Sequence, residues 1–361
     1  MSMPWKRGMF GVLTASALGL LAGCGGEGST DSTTPGTTHS STGGLASSGK
    51  EPRLLFITNS NSDWWSAVEK GMTDGGKKFG AKVELRRNEG QPEGQIKLLE
   101  DALSLPDVQG VAVSVLEAES PGIADKMREL QKAGKIVIAI DSDGQSDARR
   151  AYIGTNNRKA GEAAGKAAAA LRPKGGNTAV FVGTASAANA IERREGFFVG
   201  AGSAFKQVEV FEDGGDKNRA QLNVTTAVTK YPNLDVLLGL WSYNAPRIAE
   251  EVGKSPDLRK KVNVVTFDLD EQAVELIEKH LIDASVCQNP YEMGYQGVRL
   301  LKAYVQKDEK TIAEMLPAGA TTIDTGVRVI VPTMESPVKA DNVIDIKAMK
   351  EWLLSKGLKS S

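Results

Sequence analysis

The sequence predicts an α/β protein built from two doubly wound lobes, each a parallel sheet covered by helices. Three observations lead there. The chain has 361 residues, more than one hydrophobic core usually serves. Short unbroken apolar runs alternate with amphipathic stretches. That alternation runs through two successive series. Strands buried on both faces read as continuous apolar runs, the mark of a parallel sheet between helix layers.

The first series begins at Arg53. Its strands are Leu54–Ile57, Val83–Leu85, Gly110–Val115 and Ile136–Ile140. Between them, Trp65, Val68, Met72 and Phe79 share one side of a helix, and Ile96, Leu99 and Leu103 share one side of the next. Pro92 stands near the start of that second helix, where proline is tolerated. The second series has strands at Ala179–Val182, Val208–Val210, Val236–Leu240 and Val262–Thr266. Its helices fall near Asn189–Ser203, Arg219–Thr229, Pro246–Gly253 and Glu271–His280. The basic run Arg259-Lys260-Lys261 reads as a solvated helix end. Near the tail, Val343–Leu354 reads as an amphipathic helix with Ile346, Met349 and Leu353 on its buried side.

The segment before these lobes is an address rather than structure. Lys6 and Arg7 precede an apolar stretch from Met9 to Leu21, too short for the roughly 20 residues of a spanning helix. Leu21-Ala22-Gly23-Cys24 follows and resembles the lipobox of bacterial lipoproteins, in which the cysteine is lipidated and becomes the first mature residue. Of the 26 residues from Gly25 to Lys50, 20 are Gly, Ser, Thr or Pro, so the segment cannot bury enough apolar area to order itself. It reads as a flexible tether with a span of about 25–30 Å.

Composition excludes several classes. Lys plus Arg is 44 and Asp plus Glu is 45, a net charge of −1, which argues against a nucleic-acid binder. The histidines and cysteines are His39, His280, Cys24 and Cys287. That supply is too small for zinc sites of the Cys/His type or for a disulfide framework. A Ser-His-Asp triad would need one of two histidines, and His39 lies in the tether. Cys287 is then a lone thiol, expected to be buried and inert. No Gly-x-Gly-x-x-Gly follows the first strand and no P-loop occurs, so no cofactor is implied.

In open parallel sheets, ligands bind beyond the carboxyl ends of the strands. The residues there are Thr58–Trp65, Asp141-Ser142-Asp143, Trp241-Ser242-Tyr243-Asn244, Asp268, and Gln288-Asn289-Pro290-Tyr291 after the run Ala284–Cys287. They are carboxylates, amides, hydroxyls and aromatic rings. Carboxylates and amides bond hydroxyls, and rings cover the apolar face of a pyranose or furanose. The set suits a neutral sugar or polyol. Hydrogen bonds to charged groups contribute about 1.5–3 kcal/mol each, so two or three with a stacked ring suffice for micromolar binding.

From Arg53 to about Val331 the sequence resembles periplasmic sugar-binding proteins of the ribose/galactose type, relatives of the effector domain of lactose-type repressors. The markers are Trp64-Trp65 closing the first-strand loop, Val137–Asp141, and Tyr152-Ile153-Gly154-Thr155-Asn156-Asn157 opening an alanine-rich helix. Glu192–Phe197, Val265–Asp268 and Gln288–Gly294 follow in the family's order. The resemblance implies the type I periplasmic-binding-protein fold, two Rossmann-like lobes joined by a three-segment hinge. The crossings would fall near Thr155-Asn156, Gln288-Asn289 and Asp324-Thr325. The organisation expected is a signal peptide over 1–23 and a lipidated cysteine with tether over 24–50. An N-terminal lobe would take 51–155 plus 289–324, and a C-terminal lobe 156–288 plus 325–361.

The resemblance further implies a non-enzymatic receptor that closes on a monosaccharide or polyol and hands it to an ABC-type permease. The protein would be a monomer, held at the membrane by lipid on Cys24. By position, Trp64 and Trp65 match rings that sandwich the sugar, and Asn61 and Ser62 fall in the loop that supplies polar contacts. Asp141, Asp268 and Gln288 match hydroxyl-binding residues. Two departures stand out. Asn189-Ala190 is followed by Ile191 where the family often has arginine, and Trp241 ends a strand where asparagine is common.

Plainer readings compete at each position. Trp65 is in register with Val68 and Met72 and suits a core, whereas Trp64 lies off that face. Asp141 and Asp268, taken as cleft carboxylates, could equally cap turns or helices. Gln288 could tie the hinge. Arg193 could be a salt-bridge partner within its lobe or a ligand contact. Asp216 and Asn244 fall in rim loops, and Tyr243 and Tyr291 read as structural. Among functions, a sensor signalling to a membrane kinase or chemoreceptor shares the fold. A sugar hydrolase using Asp141 and Asp268 is disfavoured, and a transcription factor is disfavoured by the leader and tether.

Overall fold

The computed structural model describes residues 51–340 and 342–361. The leader, Cys24, His39 and the tether lie outside the described residues. No described helix is long and apolar enough to cross a membrane.

The first half runs β1 (Arg53–Ile57), α1 (Trp65–Phe79), β2 (Lys82–Arg86), α2 (Pro92–Leu103), β3 (Val108–Val113), α3 (Pro121–Lys132), β4 (Ile136–Ile140) and β5 (Tyr152–Gly154). The second runs α4 (Asn157–Leu171), β6 (Gly176–Val182), α5 (Ala188–Ala201), β7 (Phe205–Glu212), α6 (Lys217–Lys230), β8 (Val236–Gly239), α7 (Asn244–Gly253), α8 (Pro256–Lys261), β9 (Asn263–Phe267), α9 (Glu271–Glu278) and β10 (Ala284–Cys287). Then come α10 (Pro290–Gln306), α11 (Glu309–Met315), β11 (Thr322–Asp324), β12 (Arg328–Val331), β13 (Val343–Asp345) and α12 (Ile346–Lys356).

One sheet has the order β11-β5-β4-β3-β1-β2 and the other β13-β12-β10-β9-β8-β6-β7. The first is parallel throughout, and in the second only β10 and β12 pair antiparallel. Strand alternation supplies both cores of each sheet. In β1, Leu54 and Phe56 join one buried cluster while Leu55 and Ile57 join the other. In β6, Ala179 and Phe181 face one way and Val180 and Val182 the other. The strand order reverses between β2-β1 and β3 in one sheet, and between β7-β6 and β8 in the other. Ligand crevices open at such reversals.

The chain leaves the first sheet after β5, returns to it through Gln288-Asn289 with α10, and leaves again between β11 and β12. The small residues of α4 have a packing cause. A Cβ on Gly161 or Gly165 would strike the backbone of Arg193 or Phe197 in α5, and one on Gly196 would strike Arg158 in α4. The two helix backbones therefore lie in contact, which fixes where α5 carries Asn189 and Arg193.

The tail differs from its sequence pattern. Val343–Asp345 is a strand rather than the first turn of a helix, because Val343 and Ile344 pair in parallel with Val329 and Ile330. The helix starts at Ile346, with the Asp345 carboxylate accepting from the Ala348 N–H at 2.8 Å. Ile346, Met349 and Leu353 form its buried side.

Candidate ligand-binding site

Two aspartates end strands in opposite sheets, Asp141 after β4 and Asp268 after β9. Both have left-handed backbone, φ 62° and 61°. Such conformations cost an ordinary residue about 1–2 kcal/mol and are tolerated best by Asn and Asp among side-chain-bearing residues. At Asp141 the turn is three residues long, closed by Ser142 N–H donating to Ile140 O at 2.7 Å. The Tyr152 hydroxyl donates to the Asp141 carbonyl at 2.7 Å. At Asp268 the Ser285 hydroxyl donates to the carbonyl at 2.6 Å. Each strand end is thus held bent, with its carboxylate set at a sheet edge.

The carboxylates are buried, with Asp141 5% and Asp268 3% exposed, not open to the cleft as strand-end residues would suggest. Asp141 Oδ2 accepts from Ser114 Oγ at 2.8 Å and weakly from Asn59 Nδ2 at 3.4 Å. Asp268 accepts from Gln288 Nε2 at 3.0 and 3.1 Å and from Gln288 N–H at 3.3 Å. Arg193 Nη1 stands 3.8 Å from Asp268 Oδ2 and donates to Leu240 O at 2.8 Å. Its Nε donates to Asn157 Oδ1 at 3.0 Å, and its guanidinium lies over the Phe267 ring. The arginine is therefore both a partner of Asp268 within its own lobe and a wall of the cavity.

One cavity collects these groups, with about 360 Å³ of empty space including its mouth. From the first sheet's loops it takes Asn59, Ser60, Ser62, Trp64, Trp65 and Asp141. From the second it takes Asn189, Arg193, Trp241, Ser242, Tyr243 and Asp268, with Gln288 at a crossing. Trp64 and Trp65 meet edge to face, ring centres 5.0 Å apart. Trp65 also packs with Val68 and Met72, so it belongs to the core and to the wall at once. Trp241 Nε1 donates to Asn189 Oδ1 at 3.3 Å.

Burial pushes the Asp141 carboxyl up to about 6, against the pull of Arg193 and the Ser114 hydrogen bond. Burial likewise raises Asp268, opposed by Arg193 and Gln288. One guanidinium faces two buried carboxylates, so the cavity wants further donors. It also offers unused groups: Trp64 Nε1, Arg193 Nη2 and Gln288 Oε1 are buried without a hydrogen-bond partner among the described residues. Trp64 Nε1 lies near enough to Asp268 to favour its charge but forms no well-aligned bond to it. Donors and acceptors interleaved around rings match a polyhydroxylated neutral molecule, whose every hydroxyl both donates and accepts.

Of the residues singled out from sequence, Ser62, Trp64, Trp65, Asp141, Arg193, Trp241, Asp268 and Gln288 line this cavity. Three do not. Asn61 is exposed, and its amide donates to Glu89 at 3.1 Å. Asp216 caps α6, accepting from Asn218 and Arg219 N–H. Asn244 is buried behind the wall, donating to Asp213 Oδ2 at 3.0 Å and accepting from Trp241 N–H at 3.1 Å. Asn59, Ser60, Asn189, Ser242 and Tyr243 enter the lining without having been singled out, and all but Asn189 lie in the strand-end stretches named from sequence. Tyr243 holds its hydroxyl on Asp213 Oδ1 at 2.5 Å, so it is structural as well. Cys287 is buried and free, and burial pushes its thiol up to about 12, which keeps it unreactive.

The family model for the periplasmic binding protein domain matches residues 54–309. The chain belongs to that family. This periplasmic binding protein is a solute-binding protein and not an enzyme, and its family places it in the periplasm. It is 27% identical over 267 residues to the D-allose-binding periplasmic protein of Escherichia coli (strain K12), which covers 70% of this chain and 83% of that protein. A solute-binding protein of an ABC transporter from Burkholderia graminis C4D1M, solved with D-arabinose, is 26% identical with a TM-score of 0.70, covering 78% of this chain and 96% of that one. A carbohydrate transporter solute-binding protein from Agrobacterium radiobacter, also solved with D-arabinose, is 25% identical with a TM-score of 0.68, covering 81% and 100%. A glucose-galactose binding protein from Geobacillus stearothermophilus shares the fold at a TM-score of 0.71 and 23% identity, covering 79% and 99%.

Proposed function

We propose that this periplasmic binding protein captures a sugar or polyol between its two sheets and delivers it to an ABC-type permease. The observation that carries the reading is the pair Asp141 and Asp268. They come from opposite sheets, both buried, on one cavity that also holds Arg193, Trp64 and Trp241. A ligand bonded to both carboxylates bridges the two halves and stabilises the closed arrangement. The relatives that bind D-allose and D-arabinose support the same ligand class. The sensor reading shares this cleft and gains no observation of its own.

The residues that would serve each step follow from their chemistry. Asp141 and Asp268 accept ligand hydroxyls. Arg193 and the Trp64 N–H donate to ring or hydroxyl oxygens, and the Gln288 carbonyl accepts. Trp64, Trp65 and Trp241 cover the apolar face of the ring and exclude water. Lipid on Cys24 and the Gly25–Lys50 tether would keep the receptor, as a monomer, within reach of its permease. A thermal-shift screen of the folded protein against pentoses, hexoses and polyols tests the ligand class. A ligand at 100 times its dissociation constant adds about 2.7 kcal/mol of stability. A screen in which no sugar or polyol raises the melting temperature would sink the reading.

A further inference from the structure

Beside the ligand cavity lies a second hollow of about 740 Å³, lined by Asp63, Lys217, Arg247, Asp270, Glu271 and Gln272, with Tyr243 shared between the two. Three chain adjacencies join it to the first. Ser62 lines the ligand cavity and Asp63 the hollow. Asp268 lines the cavity and Asp270 the hollow. Tyr243 lines both. The hollow therefore adjoins the cleft, with Tyr243 between them. It too draws on both sheets: Asp63 follows β1, and Lys217, Arg247 and Gln272 belong to α6, α7 and α9. Lys217 Nζ and Asp63 Oδ2 stand 4.0 Å apart across it.

Resting on the sugar reading above, we infer that this hollow is a subsite for a second sugar unit, so that the protein takes glycosides or disaccharides rather than free monosaccharides alone. The size argument is direct. The hollow has about twice the empty volume of the inner cavity. The chemistry of the lining selects the substituent. Lys217 and Arg247 stand among three carboxylates, Asp63, Asp270 and Glu271, a surplus of negative charge that does not favour an anionic substituent. The named groups are mostly charged or amide-bearing, so an alkyl or aryl group is not favoured either. A neutral polyhydroxylated ring can donate to the carboxylates and accept from the cations. Arg247 Nη2 donates to Gln272 Oε1 at 2.9 Å and pairs with Glu250 Oε1 at 3.0 Å, while its Nε is buried with no partner among the described residues.

Calorimetry on the folded protein tests this with D-glucose and D-galactose against maltose, cellobiose, lactose and melibiose. The expected result is that at least one disaccharide binds about ten-fold or more tighter than its constituent monosaccharide. Asp63→Ala and Gln272→Ala, both at exposed positions and outside the inner cavity, should each weaken that disaccharide about three- to ten-fold and leave the monosaccharide within about two-fold. The ratio of the two affinities is the readout, because losing the Asp63–Lys217 contact would change closure for every ligand equally. Monosaccharides binding as tightly as every disaccharide, or variants that weaken both alike, would overturn the subsite and leave the sugar reading standing. Failure of all six sugars would overturn this inference, while the sugar reading stands or falls on the wider screen of pentoses, hexoses and polyols.

Discussion

Replacing Asp268 by asparagine removes one negative charge while preserving shape and tolerance for the left-handed backbone at φ 61°. Alanine is the poorer probe, since it adds about 1–2 kcal/mol of backbone cost at such an angle. It would also strand the Gln288 side chain, which donates to both Asp268 oxygens. In the Asp268→Asn variant the amide oxygen still accepts from Gln288 N–H, and the amide nitrogen can reach the unused Gln288 Oε1. Charge-assisted bonds contribute about 1.5–3 kcal/mol against about 0.5–1.5 for neutral ones. With one or two ligand hydroxyls on this carboxylate, the loss is about 1–3 kcal/mol, or roughly 5- to 150-fold in affinity. Stability of the ligand-free protein should hold or rise slightly, because a carboxylate raised by burial is a buried charge incompletely compensated. Calorimetry with the best ligand, beside thermal melts of both proteins, gives both numbers. Wild-type affinity in a folded Asp268→Asn would refute the strand-end site.

Other outcomes follow from the same geometry. The Asp141 carboxyl sits near 6 in the folded state against about 4 unfolded, so the native state holds the proton more tightly. The stability that Asp141 contributes to the ligand-free protein is full below about pH 4 and is lost as pH rises through about 6, on the order of 3 kcal/mol. Asp141→Asn should flatten that part of the profile in melts across pH 4–8, and an unchanged slope would contradict the assignment. Trp64→Ala should weaken sugar binding through lost ring contact. Trp65→Ala, removing a side chain 1% exposed in the buried cluster that also holds Trp64, should cost about 3–5 kcal/mol of stability; an unchanged melting temperature would be the wrong result. Cys24→Ser should move the protein from the membrane fraction to the soluble one with ligand affinity unchanged, and wild-type protein that is already wholly soluble and uncleaved would remove the lipid anchor.

The long elements were legible because they are buried on both faces. Leu54–Ile57 and Ile136–Ile140 leave no ambiguity of type when every neighbour is apolar. The short strands were not. β5, β11 and β13 have three residues each, too few to show a period, and Val343-Ile344 fits the helical register of the residues after it. Only the pairing with β12, a contact distant in sequence from most of the sheet, makes that stretch a strand. Site residues divide the same way. Asp141, Asp268 and Gln288 follow strands directly, so the sheet rule alone brings them to the crevice. Asn61 and Asp216 sit two or more residues out along loops, where direction depends on partners such as Glu89 and the α6 N–H groups. Asn244 is diverted by Asp213, a residue no sequence pattern singled out. The burial of the two aspartates was likewise invisible, since it depends on partners distant in sequence such as Ser114 and Gln288.

The central claim is that one sugar molecule is held by carboxylates from both sheets. A crystal structure of the protein with the tightest-binding sugar from the screen tests it most directly. The account predicts a single ligand between the sheets, with hydroxyls within about 2.5–3.0 Å of both the Asp141 and Asp268 carboxylates and a ring face on Trp64. A sugar bonded to only one of the two aspartates, or bound outside the cavity, would contradict it.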